Sequence, residues 1–253
     1  MFTHSAELVA LVVVIIFCII GYLLGSISFA VIFSKLFTGK DVREQGSGNA
    51  GMTNVMRNSG KLPGILTFVC DFLKGTFSVL IAMNFFIPLC EYIYCFGYEG
   101  PIFVSPAVLY FSNIVNPRIV GYIVAIFCML GHMFPIFFKF RGGKGVATIV
   151  GVAAAFNPLT ALVCFLFFLV VVLIKKYVSL ASILAVTLAV PMNAVFYYLF
   201  YTGGTFAWFG GYEILVSTIL VAIMSTLVIA RHHENIGRLI KGTERKIGDK
   251  KKG

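Results

Sequence analysis

Charged side chains are scarce in this chain, and their scarcity limits what kind of protein it can be. Asp, Glu, Lys and Arg make up 12% of its 253 residues, whereas 59% are hydrophobic and the mean hydropathy is +0.97. A soluble domain of this length cannot bury so much apolar surface. The composition therefore excludes a soluble globular fold and indicates an integral membrane protein.

The cysteine patterns of metal sites and disulfide frameworks are also missing. None of the six cysteines has the spacing of a zinc site. Cys90 and Cys95 flank a loop on the predicted outer face and could pair with each other, but two cysteines do not make a disulfide framework. The other four lie in apolar stretches, as inert core thiols do: Cys18, Cys70, Cys128 and Cys164.

Several catalytic motifs are absent. There is no paired-Asp motif of the kind that holds Mg²⁺, no His-x4-Asp acyltransferase motif and no Gly-x-Ser-x-Gly elbow. A Walker A motif would need a glycine where Phe138 stands and a Ser or Thr where Gly145 stands. We therefore expect neither a metal ion nor a cofactor, and the sequence argues against an ATPase.

The net charge of +10 is concentrated in a few loops and in the tail. No continuous basic face with interleaved aromatic residues is present, so we expect no nucleic-acid partner. The basic segments instead alternate with apolar stretches, as the positive-inside rule describes for membrane proteins.

The apolar stretches predict an all-α, polytopic membrane helix bundle of about seven helices, in a single domain 1–253. About 20 apolar residues span the hydrocarbon core. The stretch 146–156 is shorter, about 16 Å as a helix, and we expect a turn at Asn157-Pro158 and a return helix after it. The predicted helices cover residues 8–33, 62–88, 119–138, 146–156, 159–174, 178–200 and 214–230.

The distribution of Lys and Arg predicts the orientation of these helices. Five lie between the first two helices and eight follow the last, whereas 82–119 holds only Arg118 and the loop 201–213 holds none. The N-terminus is then outside and the C-terminus cytoplasmic. Three polar loops, at about 39–61, 139–145 and 231–245, face the cytoplasm. We expect an outer loop at about 85–118, because four prolines disfavour a spanning helix there.

Glycines and hydrogen-bond donors crowd into the first of these loops. Gly46 and Gly48 let backbone amides converge on an anion, and Arg57 adds a planar fork suited to phosphate. Close spacing favours a phosphate-binding loop over a flexible, solvated one. Neutral side chains add further donors: Ser47, Asn49, Thr53 and Asn54.

The second loop stands directly before the short helix that begins near Val146. Free amides and the positive end of the helix dipole favour an anion at such a place. Lys144 supplies a full positive charge. The alternative is a basic turn at the membrane surface. The loop's candidate binding residues are Gly142, Gly143, Lys144 and Gly145.

The third loop follows the last helix. His232 and Asn235 are three residues apart, so on a continued helix they share a face. The histidine can bind phosphate, position a hydroxyl or act as a base. The alternative is an interfacial histidine without a catalytic role.

Other polar residues lie in or beside the apolar stretches. Asp71 and Lys74 are three apart and either pair with each other or face a cavity, since intramembrane ionisable groups are functional candidates. Ser179 and Ser182 begin the sixth helix and either donate to a ligand or cap that helix. His132 precedes the second loop and is placed to orient it.

Together these motifs resemble those of the bacterial acyl-phosphate:glycerol-3-phosphate acyltransferases. The similar segments are Gly46 to Arg57, Gly131 to Thr148 and Arg231 to Glu244, in the family's order. The Asp71-x-x-Lys74-Gly75 element and Gly25-Ser26-Ile27 also match. The resemblance covers almost the whole chain, apart from a longer stretch between residues 84 and 121.

The resemblance implies an enzyme of the bacterial plasma membrane that acylates the 1-hydroxyl of glycerol 3-phosphate from an acyl phosphate. The implied product is lysophosphatidic acid, and the implied reaction is the first step of phospholipid synthesis. We expect Arg57, Lys144 and His232 to hold phosphates, and Ser47 and Asn235 to orient reacting groups. Membrane lipid surrounds the protein, and an enzyme that supplies acyl phosphate is a candidate partner.

Two other classes of protein compete with an acyltransferase. A transporter of a small phosphorylated anion would also use glycine loops and a broken helix, but it needs access from both sides. The outer loops hold almost no cations, which favours a one-sided enzyme. A structural or regulatory membrane protein explains none of the three loops.

Overall fold

The computed structural model describes residues 2–94, 116–201 and 208–248. Within these ranges the chain forms helices, two short 3-10 turns and no strand. The 3-10 turns are Val42–Glu44 and Ile136–Phe138. The α-helices are α1 Phe2–Gly25, α2 Phe29–Thr38, α3 Met52–Asn58, α4 Lys61–Tyr94, α5 Pro117–Met133, α6 Val146–Phe156, α7 Pro158–Lys175, α8 Val178–Tyr201, α9 Trp208–Ala230 and α10 His233–Ile240.

Six helical segments of the described chain are long and apolar enough to cross a membrane, and α6 is a shorter apolar helix. The predicted all-α, multi-pass membrane fold is therefore confirmed. Seven crossings and the orientation of the termini stay predictions. The six segments are Glu7–Thr38, Lys61–Ile93, Pro117–Phe138, Pro158–Lys175, Val178–Leu199 and Tyr212–Ala230.

The first apolar stretch is two helices, which corrects the continuous helix predicted over residues 8–33. Helix α1 ends at Gly25, and α2 begins at Phe29 after a short break. The ammonium of Lys74 on α4 accounts for the break, because its Nζ donates to the carbonyls of Gly25 (3.0 Å) and Ile27 (2.9 Å). Non-helical backbone is tolerated inside a membrane protein where such partners satisfy it.

Helix α4 continues to Tyr94, so the outer loop predicted from residue 85 is wrong as far as residue 94. Pro88 lies inside this helix. A proline removes one backbone hydrogen bond, and a long helix packed against neighbours can retain its course despite that loss. Helix α5 begins at Pro117, so its first two residues overlap the C-terminal end of the loop predicted at about 85–118. Cys95, and with it the predicted pairing to Cys90, lies outside the described residues.

Two compact units make up the chain, Met1–Phe156 and Asn157–Gly253. In the first, α1, α4 and α5 enclose an apolar core that includes Val13, Phe86 and Val124. In the second, α7 packs on α8, and α8 also contacts α9 and α10. The single domain predicted from the sequence stays a prediction.

Helix α6 lies against α4 in the first unit. Gly151 comes so close to α4 that a Cβ there would collide with the carbonyl oxygen of Phe72. At the end of α6, Arg118 of α5 donates to the Phe156 carbonyl at 3.5 Å and lies over the Phe156 ring. A cation near a helix C-terminus interacts favourably with the negative end of the helix dipole. The one basic residue of the predicted outer loop thus fixes the end of α6.

The turn predicted at Asn157-Pro158 is confirmed. Asn157 is the N-cap of α7, since its side-chain oxygen accepts a hydrogen bond from the Thr160 backbone N–H at 3.0 Å. Pro158 occupies the first position of the helix, where the absence of an N–H costs nothing.

Candidate active site

Buried apolar side chains anchor the first polar loop on both sides of its exposed glycine run, which argues against the flexible alternative. Val42, Ala50 and Val55 form a small buried cluster with Ala30 and Val31 of α2. The region predicted as loop 39–61 also contains a 3-10 turn and the short helix α3. Apolar side chains at both ends of the glycine run therefore fix its position.

Asn54 organises this loop from within. Its Oδ1 accepts hydrogen bonds from the Ser47 backbone N–H (3.1 Å) and from Asn58 (2.9 Å). Its Nδ2 lies 2.9–3.1 Å from the carbonyl oxygens of Val42, Gln45 and Asn49. The buried amide therefore holds the loop's shape, whereas its predicted contact with substrate stays a prediction.

The other predicted residues of the first loop differ in exposure. Ser47 and Arg57 are exposed, as are Gly46 and Gly48, whereas Asn49 and Thr53 are half-buried. The two side chains that we predicted to act directly on substrates thus reach the surface of the unit.

Arg43 joins the first loop to the second. Its guanidinium forms a two-pronged ion pair with Asp41, with Nη2–Oδ2 at 2.7 Å and Nε–Oδ1 at 3.0 Å. Its Nη1 also donates to the Phe138 carbonyl at 2.6 Å and, within the second loop, to the Arg141 carbonyl at 3.4 Å. The hydrogen bond from Arg43 holds the pKa of Asp41 below its usual range. Sequence reasoning assigned this pair no role, although an Asp and an Arg two residues apart can form a local bidentate pair.

The second loop opens α6, as predicted, and the structure buries its glycines. The Gly143 backbone N–H donates to the His132 carbonyl at 3.1 Å, and the Ile149 N–H donates to the Gly145 carbonyl at 2.9 Å within the first turn of α6. Gly142, Gly143 and Gly145 are buried, and Lys144 is half-buried.

Gly143 is also where the two loops touch. A Cβ at this position would lie 2.6 Å from the carbonyl oxygen of Ala50 and would collide with the His132 ring at Nε2. Only glycine fits between these two groups without displacing one of them. The backbone segments predicted to bind anions in the first and second loops therefore lie side by side.

Asp71 and Lys74 pair with each other, which decides between the two alternatives for them. Their Oδ1 and Nζ atoms are 2.8 Å apart, and the side chains are 4% and 3% exposed. His132 Nδ1 lies 3.5 Å from the same carboxylate oxygen. Asp71, Lys74 and His132 thus form one buried cluster in the first unit.

The third loop belongs to the second unit and does not continue α9, so the condition under which His232 and Asn235 would share a face of that helix is not met. Helix α9 ends at Ala230, and α10 begins at His233. His232 is buried, and its Nδ1 lies 2.7 Å from the Val228 carbonyl oxygen. Because a carbonyl only accepts, Nδ1 must carry a proton, and the neutral ring has its lone pair at Nε2.

Glu244 gathers the predicted residues of the second unit. Its Oε1 accepts from Ser179 (2.7 Å) and Asn235 (2.6 Å), and its Oε2 accepts from Arg238 Nε (2.8 Å). Burial opposes ionisation, but the hydrogen bonds, led by that from Arg238, outweigh it and hold the pKa of Glu244 below its usual range. Ser182 instead donates to the Val178 carbonyl of its own helix.

Sequence reasoning included Glu244 in the third motif but gave it no role. A carboxylate nine residues after Asn235, beyond the end of α10, offers no local pattern that reveals its partners. Its position as a carboxylate among the cations of the basic tail was the one available signal.

Comparisons with known proteins agree on one family. The family model described as Glycerol-3-phosphate acyltransferase matches residues 15–242. The chain is 37% identical over 237 residues to the glycerol-3-phosphate acyltransferase of Clostridioides difficile (strain 630), covering 94% of this chain and 97% of that one. It is 40% identical over 229 residues to that of Aquifex aeolicus (strain VF5), covering 90% and 96%.

Solved structures resemble the chain along nearly its whole length. One is a crystal structure of PlsY (YgiH), an integral membrane glycerol 3-phosphate acyltransferase, in its glycerol 3-phosphate form. Its TM-score is 0.67 at 37% identity, over 93% of this chain and 96% of the other. A lysophosphatidic acid form has a TM-score of 0.65 at 35% identity, over 93% and 95%.

Proposed function

Because the chain belongs to the glycerol-3-phosphate acyltransferase family, we propose that it transfers a fatty acyl group from an acyl phosphate to the 1-hydroxyl of sn-glycerol 3-phosphate. The products are lysophosphatidic acid and inorganic phosphate, and the reaction is the first step of phospholipid synthesis. The two crystal forms of the related enzyme, with glycerol 3-phosphate and with lysophosphatidic acid, support this choice of substrate and product.

The observation that carries the proposal is the contact between the two glycine loops at Gly143 and Ala50. Acyl phosphate and glycerol 3-phosphate each bring a phosphate group. Two adjacent backbone segments rich in glycine, one of them opening α6, are suited to hold two anions close together. Holding the reactants together removes much of the entropic barrier to acyl transfer.

In the proposed mechanism the glycerol hydroxyl attacks the acyl carbonyl directly, and phosphate leaves. Arg57 and Lys144 hold phosphates, and the exposed hydroxyl of Ser47 orients a reacting group. Phosphate is already a good leaving group, so positioning and charge stabilisation supply most of the catalysis. No covalent acyl-enzyme forms.

His232 and Asn235, in the second unit, are also among the residues that the sequence predicts to act on the substrates. The neutral His232 ring has its lone pair at Nε2, because Nδ1 donates to the Val228 carbonyl. It binds a phosphate or accepts the hydroxyl proton, unless a substrate phosphate takes that proton. Asn235 donates its amide N–H to Glu244, which fixes the side chain so that it can orient a reacting group.

We propose that the enzyme lies in the bacterial plasma membrane with its N-terminus outside and its active site facing the cytoplasm. The eight Lys and Arg after residue 230 and the five between the first two predicted helices support this orientation. Glycerol 3-phosphate would then enter from the cytoplasm, and the acyl chain would lie among membrane-facing apolar side chains.

The decisive experiment measures phosphate release by the purified protein given palmitoyl phosphate, with and without glycerol 3-phosphate. We expect release that requires the glycerol substrate. Arg57→Ala and Lys144→Ala should each lower kcat/KM by about a hundredfold or more, as losses of charge-stabilising donors do. Lys61→Ala, which removes an exposed cation four residues from Arg57, is the matched control and should stay near the wild-type rate.

Two results would contradict parts of the proposal. Folded wild-type protein that releases no phosphate would exclude acyl phosphate as the donor, and labelled glycerol 3-phosphate uptake by proteoliposomes would then test the transporter alternative. A stable acyl ester on Ser47, trapped with donor alone and identified by mass spectrometry, would exclude direct attack.

A further inference from the structure

The buried cluster of Asp71, Lys74 and His132 lies beneath the second loop in the first unit. Both charges of the ion pair are almost fully removed from solvent. Burial of an ion pair costs so much desolvation that such a pair is weak evidence for stability, and apolar replacements are often tolerated. Because this ion pair lies among apolar helices despite that cost, we infer that it fixes the geometry of neighbouring groups.

One side of the cluster holds the break between α1 and α2. Lys74 Nζ donates to the carbonyls of Gly25 and Ile27 and lies 5.7 Å from the Phe29 ring centroid. Its third close partner is the Asp71 carboxylate. The ammonium is thus saturated by groups that all lie within the first unit, none of which belongs to a glycine loop.

The other side of the cluster reaches the second loop through His132. Asp71 Oδ1 lies 3.5 Å from His132 Nδ1, so the carboxylate and the ring are neighbours. On the opposite edge of the ring, Nε2 abuts Gly143 so closely that a Cβ would not fit. The backbone carbonyl of the same histidine accepts the Gly143 N–H. Gly143 is therefore held by His132 through both backbone and ring.

We propose that Asp71 is a positioning residue, which acts through His132 to fix the glycine loop at Gly143 and hence the neighbouring Lys144. This proposal rests on the proposed function, because the loop is taken to bind a substrate phosphate. Asp71 does not touch substrate. Its carboxylate sets the orientation of the imidazole, and the imidazole sets the place of the loop against Ala50 of the first loop.

The test compares Asp71→Asn with Glu91→Gln. Both changes neutralise a buried carboxyl on α4, but Glu91 lies 20 residues further along, about 30 Å away. We expect Asp71→Asn to raise the KM of one phosphate-bearing substrate by about tenfold or more, with kcat changed less, since small misplacements of binding groups have large effects. Glu91→Gln should leave both KM values within about twofold of wild type.

A purely structural role would give another result. Asp71→Asn would then lower the melting temperature and the fraction of active enzyme while both KM values stayed as in wild type, and this outcome would overturn the proposal. If Asp71→Asn does not fold, His132→Gln serves instead, because it leaves the Asp71–Lys74 pair intact but removes the ring beneath Gly143. Unchanged KM values in a folded His132→Gln enzyme would equally overturn it.

A binding measurement separates this proposal from the proposed function. Inorganic phosphate should raise the melting temperature of the wild-type protein and of Glu91→Gln, and the rise should be lost or strongly reduced in Asp71→Asn or His132→Gln. Wild-type protein that responds to phosphate but transfers no acyl group would refute the function and leave the positioning role standing. Variants that keep the full response would refute the positioning role alone.

Discussion

The first loop and the C-terminal tail are each organised by one side chain, but the chemistry of the two differs. The neutral amide of Asn54 both donates to and accepts from its surroundings, mostly backbone groups of its own loop. The carboxylate of Glu244 only accepts, and its donors are side chains from α8 and α10. A neutral centre holds its shape at any pH, whereas a charged one depends on its ionisation.

The largest loss of stability should follow from removal of the Asn54 amide, which is the neutral centre of the first loop. Asn54→Ala leaves buried carbonyls and the Ser47 N–H without their partner, and we expect a loss of about 3 kcal/mol in the free energy of unfolding. A denaturant titration in micelles measures it. The control is Asn84→Ala, which removes an exposed amide that donates to the Leu80 carbonyl of its own helix, with a loss below about 0.5 kcal/mol. Equal losses in the two variants would show that apolar packing alone holds the loop.

A smaller effect should follow at the charged centre. Glu244→Gln keeps the size of the side chain but turns one acceptor into a donor, so Arg238 or Asn235 loses its partner. We expect a loss of about 1–2 kcal/mol in the same titration. Glu234→Gln removes the exposed carboxylate that also faces Arg238, at 3.7 Å, and should change the free energy by less than about 0.5 kcal/mol. Equal losses in the free energy of unfolding for Glu234→Gln and Glu244→Gln would contradict the role given to Glu244.

The smallest and most specific effect concerns pH. The folded-state pKa of Glu244 lies below its unfolded value, so its contribution to stability is present above the ordinary glutamate pKa of about 4.3 and is lost as pH falls through the folded pKa. The stability difference between wild type and Glu244→Gln should therefore shrink as pH is lowered from 6 towards about 3. The difference between wild type and Asn54→Ala should stay constant. A constant difference for Glu244→Gln would mean that its carboxylate is not what the donors recognise.

Local signals in the sequence predicted much of the fold. Apolar length predicted the spans, the glycines before Val146 predicted the start of α6, and Asn157-Pro158 predicted the start of α7. Each of these features depends on residues that are neighbours in the sequence. The charge pattern predicted only that the polar loops share one side of the membrane, and the contact between the first two at Gly143 and Ala50 came from the structure.

The features that sequence reasoning missed depend on partners far along the chain. The break after Gly25 is satisfied by Lys74, 49 residues away. Glu244 meets Ser179 across 65 residues. Pro88 has a low intrinsic helix propensity, but α4 continues past it. In the first two cases a contact made only in the folded protein completes what the local sequence leaves open.

The pairing of Lys74 with the break after α1 has a consequence for how the chain enters the bilayer. An ammonium among lipid tails and a pair of helix-end carbonyls among lipid tails are each unfavourable alone. Together they satisfy each other, so the first two hydrophobic segments are expected to insert as a coupled hairpin. A reporter of translocation fused after residue 60 should then show poorer insertion of the first segment than one fused after residue 94.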